Sequence, residues 1–149
     1  MNYFELFGLP TQYRISKDDL TKSYLSLQRE LRQQSDKSSD SVVQLNAAYK
    51  VLKDDIERGK YFLTLFDKKS ESLSSEFALK MFSMRENFEN LKTENERTDF
   101  LQKLKSDMQS MIQDLQTIDD IEKFREKFSE LEFIHSFLEK ARADVYSRN

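Results

Sequence analysis

Ser16-Lys17-Asp18-Asp19-Leu20-Thr21-Lys22-Ser23-Tyr24-Leu25-Ser26-Leu27-Gln28-Arg29-Glu30-Leu31 is an amphipathic stretch. Leu20, Tyr24, Leu27 and Leu31 recur at spacings of four, three and four, which puts them on one face of a helix. Ser16 followed by Asp19 is a capping-box pattern that marks a helix start, so the spacing predicts a helix over 17–34. The polar run Gln33-Gln34-Ser35-Asp36-Lys37-Ser38-Ser39 has no apolar period and predicts a loop. After it, Leu45, Ala48, Tyr49 and Leu52 share a face of a second helix over 41–53, where the small Ala47 and Ala48 permit close approach. Two such helices around one short loop predict an antiparallel hairpin.

Working outward, Asn2-Tyr3-Phe4-Glu5-Leu6-Phe7-Gly8-Leu9-Pro10 is a short aromatic turn whose glycine and proline suit a helix stop. Its Tyr3, Phe4, Leu6 and Phe7 are expected to plug a core. Downstream, Asp54-Asp55 suits a helix N-terminus, and Ile56, Phe62, Leu63, Leu65 and Phe66 mark the helix it opens. Gly59 within it costs about 1 kcal/mol relative to alanine, which suggests close packing there. The serine-rich stretch 67–75 is the expected linker. Three apolar stripes follow: Phe77, Met81, Met84, Phe88 and Leu91; Leu101, Leu104, Met108, Met111 and Leu115; and, after Thr117 and Asp120 as a capping box, Ile121, Phe124, Phe128, Leu131, Leu138, Ala141 and Val145. Such stripes predict a three-helix bundle. The chain is expected to be all-α, with one unit over 1–66 and a bundle over 76–149. Because either piece alone would bury only about 60% of its unfolded surface, the halves are expected to pack in an L or elbow.

Composition narrows the chemistry. The 149 residues are 38% apolar and 34% charged, as in a globular protein. Two glycines and one proline are too few for the turns of an all-β fold. Twenty-four basic and 27 acidic residues leave a formal charge of −3, which disfavours nucleic acid as a partner. No cysteine is present, so disulfides and ligation of an iron–sulfur cluster by cysteine are excluded, and no cofactor is expected. The longest apolar runs, such as Tyr61-Phe62-Leu63, fall far short of the roughly 20 residues needed to span a bilayer. The folded pattern begins at Asn2, leaving no room for a leader, so a cytosolic location is expected. The single histidine, His135, cannot complete a nucleophilic triad without a nucleophile at hand, and a structural or surface role suits it. The acidic pairs Asp54-Asp55, Asp119-Asp120 and Glu94/Glu96 sit at expected helix ends, where capping explains them. A non-enzyme is expected.

Helix 77–91 carries apolar residues beyond its stripe, namely Ala78, Leu79 and Phe82. The last helix does the same at Phe133 and Phe137, which project away from Leu131, Leu138 and Ala141. Surplus apolar residues mean a helix sandwiched between two elements or an exposed patch for a partner. Packing against the first half is an equal explanation for Phe137. On the hairpin's first helix, Lys22, Arg29 and Arg32 lie within one face. That face is either a solvated one, interrupted by Asp18 and Glu30, or a basic surface that steers an acidic partner.

The order of blocks resembles the HscB family, J-domain co-chaperones of iron–sulfur cluster assembly. It is carried by Asn2 to Pro10, Leu27-Gln28-Arg29, Leu45-Asn46-Ala47-Ala48-Tyr49, Arg58-Gly59-Lys60-Tyr61-Phe62-Leu63-Thr64-Leu65 and the three-helix tail. The resemblance implies that the hairpin, through Lys22, Arg29, Arg32, Gln33 and Gln34, meets an HscA/DnaK-class chaperone. It also implies that the tail binds an IscU-type scaffold through Leu79, Phe82, Glu86 and Phe133. In the family a His-Pro-Asp turn joins the two hairpin helices and presents an anionic acceptor to an arginine of the chaperone. Here the ungapped positions read Arg32-Gln33-Gln34, and a register two residues later reads Gln34-Ser35-Asp36. Stimulation of ATP hydrolysis is in doubt for that reason. A stand-alone helical binding or regulatory module that has left chaperone coupling is the alternative.

Overall fold

The computed structural model describes residues 1–34, 39–69 and 72–147. Every regular element among them is helical: α1 Tyr3–Leu6, α2 Lys17–Gln33, α3 Ser39–Lys53, α4 Asp55–Thr64, α5 Ser75–Glu89, α6 Glu94–Leu115 and α7 Ile121–Ser147. None is long and apolar enough to cross a membrane. The chain forms two compact units, Met1–Lys69 and Ser70–Asn149.

In the first unit, Asn2 Oδ1 accepts the Glu5 amide at 2.9 Å and starts α1. Gly8 ends it in the left-handed region, at φ 67°, which a residue without Cβ adopts freely. This turn buries Phe4 and Phe7 beside Leu20, Leu45, Ala48 and Leu52. Ser16 Oγ accepts the Asp19 amide at 3.2 Å, so α2 starts where the capping pattern predicts. Its last helical residue is Gln33, one short of the expected end, and α3 begins two residues earlier than expected. Thr21 pairs with Tyr49 and Tyr24 with Asn46, so contacts run in opposite directions along α2 and α3, the expected antiparallel hairpin. The Tyr24 and Tyr49 rings stack at 4.1 Å.

Charge is buried at the foot of this unit. Arg58, 2% exposed, donates through Nε to the Tyr13 carbonyl at 2.8 Å, through Nη1 to the Leu52 carbonyl at 2.9 Å, and through Nη2 to Asp55 Oδ1 at 2.9 Å. The Tyr13 ring lies under the guanidinium at 4.5 Å, and its hydroxyl donates to the Asp55 carbonyl at 2.9 Å. A guanidinium is tolerated in such a place only when its donors are satisfied. Asp54 Oδ1 caps α4 by accepting the Ile56 and Glu57 amides, and Gly59 is buried within that helix. Tyr61 ties α1 to α4, stacking on Tyr3 at 4.4 Å while its hydroxyl accepts the Tyr3 amide at 2.9 Å.

In the second unit, Ser74, Thr93 and Asp120 cap α5, α6 and α7. Thr117 does not cap α7 as expected: its hydroxyl donates back to the Asp114 carbonyl at 2.8 Å, finishing α6. Asp120, three residues later, has the free carboxylate that meets the Glu122 and Lys123 amides. Leu101, Leu104, Met108 and Leu115 of α6 are buried, as are Phe124, Phe128, Leu131, Ile134, Leu138 and Ala141 of α7. Aromatic edges seat α5: Phe77 against Phe133 at 6.3 Å, and Phe88 against Phe137 at 5.7 Å and Phe100 at 5.4 Å. Phe137, which lies off the Leu131, Leu138 and Ala141 stripe, is 9% exposed: of the two readings of such surplus residues, the sandwiched helix is the one found, though the covering element is α5. α7 meets α6 on one side and α5 on another, so it needs two apolar stripes where a helix with one neighbour needs one.

Two stability predictions follow from these packings. Phe137→Ala removes a ring that fills the α5–α7 seam and should cost about 3–5 kcal/mol in urea unfolding, whereas Phe82→Ala, 60% exposed, should stay within about 0.5 kcal/mol of the parent. A similar cost for both would contradict the burial pattern. Burial raises the Tyr13 hydroxyl from 10.0 to about 12, with the nearby Arg58 charge opposing the shift. The unfolded chain therefore releases this proton first, so stability is retained below pH 10 and falls as pH rises toward 12. Urea midpoints of Tyr13→Phe across that window should show a shallower alkaline loss than the parent; equal slopes would contradict the assignment.

Candidate functional site

The first candidate surface lies on α2. Lys22, Arg29 and Arg32 are exposed, as are Gln33, the last helical residue, and Gln34, which follows in an extended conformation. A helix turns 100° per residue, so the three cations fall within about 80° of arc. None has an ion-pair or hydrogen-bond partner among the described residues. Lys17, on the same helix, is instead committed to Asp55 at 3.4 Å. The Gln34 side chain is an uncharged amide, and it supplies no anionic acceptor at the position of the ungapped register. Ser35 and Asp36, which belong to the alternative register, lie outside the described residues. A groove of about 320 Å³ between α2 and α3, lined by Leu27, Leu31 and Leu45 among others, opens at this end of the hairpin; helical periodicity gave no sign of it.

The second surface lies on α5. Leu79 and Phe82 are 69% and 60% exposed, and Ala78 and Glu86 are exposed beside them. Steps of three and four bring Leu79, Phe82 and Glu86 onto one face. The buried Met81 and the half-buried Phe77, Met84 and Phe88 occupy the opposite one. Two large apolar side chains three residues apart on an outer helix face, with a carboxylate four residues on, make a small greasy patch with a charged edge. Phe133 stands differently. It is half-buried and its ring meets Phe77 at 82°, so it belongs to the seam where α5 crosses α7 and shows part of its surface there. The structure therefore groups Leu79, Phe82 and Glu86 on one helix face, whereas Phe133 meets the opposite, inward face of α5 through Phe77. A groove of about 500 Å³ opens beside Phe133, with Arg85 of α5 on its rim.

Three of the other polar candidates have structural partners. His135 faces Glu139 at 3.8 Å one helical turn away, and Asp54 and Asp120 cap helices. Among the described residues no group of three or more histidine, cysteine, aspartate or glutamate side chains is arranged to hold a metal ion.

No family model matches the chain. The co-chaperone protein HscB of Buchnera aphidicola subsp. Acyrthosiphon pisum (strain Tuc7) is 34% identical over 109 residues, covering 64% of this chain and 63% of that protein. The chain thus spans a little under two thirds of the length of that relative. The HscB homolog of Vibrio atlanticus (strain LGP32) is 30% identical over 115 residues, covering 68% of this chain and 67% of its own. Among solved structures, human co-chaperone protein HscB aligns with a TM-score of 0.81 at 20% identity over 97% of this chain and 82% of that one. Chaperone HscB from Vibrio cholerae aligns with a TM-score of 0.76 at 23% identity over the full length of both. The structural likeness concerns the fold, and the sequence matches carry the lineage: the chain belongs to the HscB co-chaperone family.

Proposed function

We propose that this chain is a co-chaperone of iron–sulfur cluster biogenesis whose 76–149 bundle binds an IscU-type scaffold protein. Its J-like 1–66 unit brings that scaffold to an HscA/DnaK-class chaperone, with the cytosol as the place of work. The observation that carries this is the outward face of α5. Leu79 and Phe82 remain largely in water, although a helix seated by Phe77, Met81 and Phe88 needs no further apolar residue for its own core. Exposed apolar side chains in a cluster favour a protein partner. Glu86 beside them gives that partner a charged edge to align on, and Phe133 supplies a part-exposed ring at the seam on the inner side of α5. The exposed cations of α2 support electrostatic steering toward an acidic chaperone surface, an effect weakened by salt.

One observation favours the alternative, a helical binding module without chaperone coupling. The hairpin turn offers Gln34 where the family presents a carboxylate, and an amide cannot replace a charge-assisted bond to arginine. The two readings part on whether the bound chain raises the ATPase rate of the chaperone.

Calorimetry with a purified IscU-type scaffold tests the docking face. The parent chain should bind, and Leu79→Ala combined with Phe82→Ala should lose about thirtyfold or more in affinity, the scale of a hot spot worth 2 kcal/mol, with unchanged thermal stability. Equal affinities for parent and variant would remove the assigned face.

A further inference from the structure

The groove beside Phe133 has a composition that the docking face lacks. Its floor includes the rings of Phe133 and Phe137, and its rim carries Arg85 from α5, Arg97 from α6 and Lys140 from α7. Three helices thus each contribute a cation to one opening of about 500 Å³, within the ~300–1,000 Å³ typical of sites that take a ligand or an inserted side chain. Two carboxylates, Glu89 and Asp144, also line it, and Asp144 already has an interaction of its own. Arg97 spends one N–H on the Leu91 carbonyl at 2.7 Å. Arg85 and Lys140 have no hydrogen-bond or ion-pair partner among the described residues. The groove therefore combines an aromatic floor with two uncommitted cations, in a chain whose formal charge is −3.

We propose that this groove receives a segment of the protein docked on α5, a segment that carries an apolar side chain next to a carboxylate. The apolar side chain would rest on Phe133 and Phe137, and the carboxylate would meet Arg85 and Lys140. This rests on the docking role of α5 given above and adds the chemistry of its partner. Arg85 and Glu86 are consecutive on α5, so their side chains diverge by about 100°. Glu86 thus stays within the greasy arc between Leu79 and Phe82, at its C-terminal end, while Arg85 lies beyond Phe82 on the flank that leads to the groove. A surface that sets an anion and cations at separate places favours one orientation of its partner, because a misplaced partner would set like charges together. Three cations against two carboxylates are too few for a nucleic acid backbone, whose binding scales with the number of phosphates neutralised.

Arg85→Gln combined with Lys140→Gln tests this. Both side chains are exposed, so the fold should persist, as verified by an unchanged helical spectrum and urea midpoint. In calorimetry with the purified IscU-type scaffold the double variant should bind about tenfold more weakly at low salt and show a flatter decline with added NaCl. Lys103→Gln with Lys105→Gln, exposed on α6, should match the parent. If the Arg85/Lys140 variant keeps parental affinity and salt dependence while Phe82→Ala loses binding, the groove assignment is wrong and the docking face stands. If the unmodified chain does not bind the scaffold, both are wrong.

Discussion

The aromatic seam of the second unit governs what the molecule can present. Phe77 on Phe133, and Phe88 on Phe137 and Phe100, are the ring contacts that seat α5 on α6 and α7. The Phe77–Phe133 and Phe88–Phe137 pairs meet edge-on at 82°, a preferred geometry worth about 0.5–1.5 kcal/mol each beyond the area they bury. They therefore fix the rotation of α5 about its axis as well as its presence. Once Phe77, Met81 and Phe88 are directed inward, the 3.6-residue repeat leaves Leu79, Phe82 and Glu86 no choice but the outside. The exposed apolar face of α5 is thus a geometric consequence of the core, held at a defined angle by it. Sites on a rigid helix, supported from behind by locked side chains, keep their geometry better than sites on loops.

The first unit is held by different means. Beside its apolar hairpin core, Arg58 joins three chain segments through Tyr13, Leu52 and Asp55. Such a knot gives the unit a unique closure while leaving α2's basic face free in solvent. Division of labour follows: one unit is organised by hydrogen bonds around a buried cation, the other by aromatic packing beneath an exposed apolar face.

Much of this was legible in the residues. Ser16 is a cap in the structure and stands just before its apolar period begins. The off-stripe positions of Leu79 and Phe82 follow from counting on a helical wheel. Other features depend on distant neighbours. The partner that buries Phe137 cannot be read from its own helix, because a single-helix pattern assigns one core face, whereas α7 serves α5 as well as α6. Arg58 shows no signal, since a charged residue in a periodic pattern is taken as solvent-facing until its carbonyl acceptors are in place. Thr117 and Asp120 fit one capping box by spacing, which alone cannot tell that Thr117 closes the preceding helix while Asp120 opens the next. The cationic groove is built from Arg85, Arg97 and Lys140 on three helices, and no local window contains all three.

The most direct measurement of the central claim is a methyl and amide NMR titration of the labelled chain with unlabelled IscU-type scaffold. The account predicts that the strongest shifts and line broadening fall on Leu79, Phe82 and Glu86 and spread to Phe133, with the α2–α3 hairpin little changed. Perturbations confined to residues 1–69, or strongest on the outer face of α6, would contradict it.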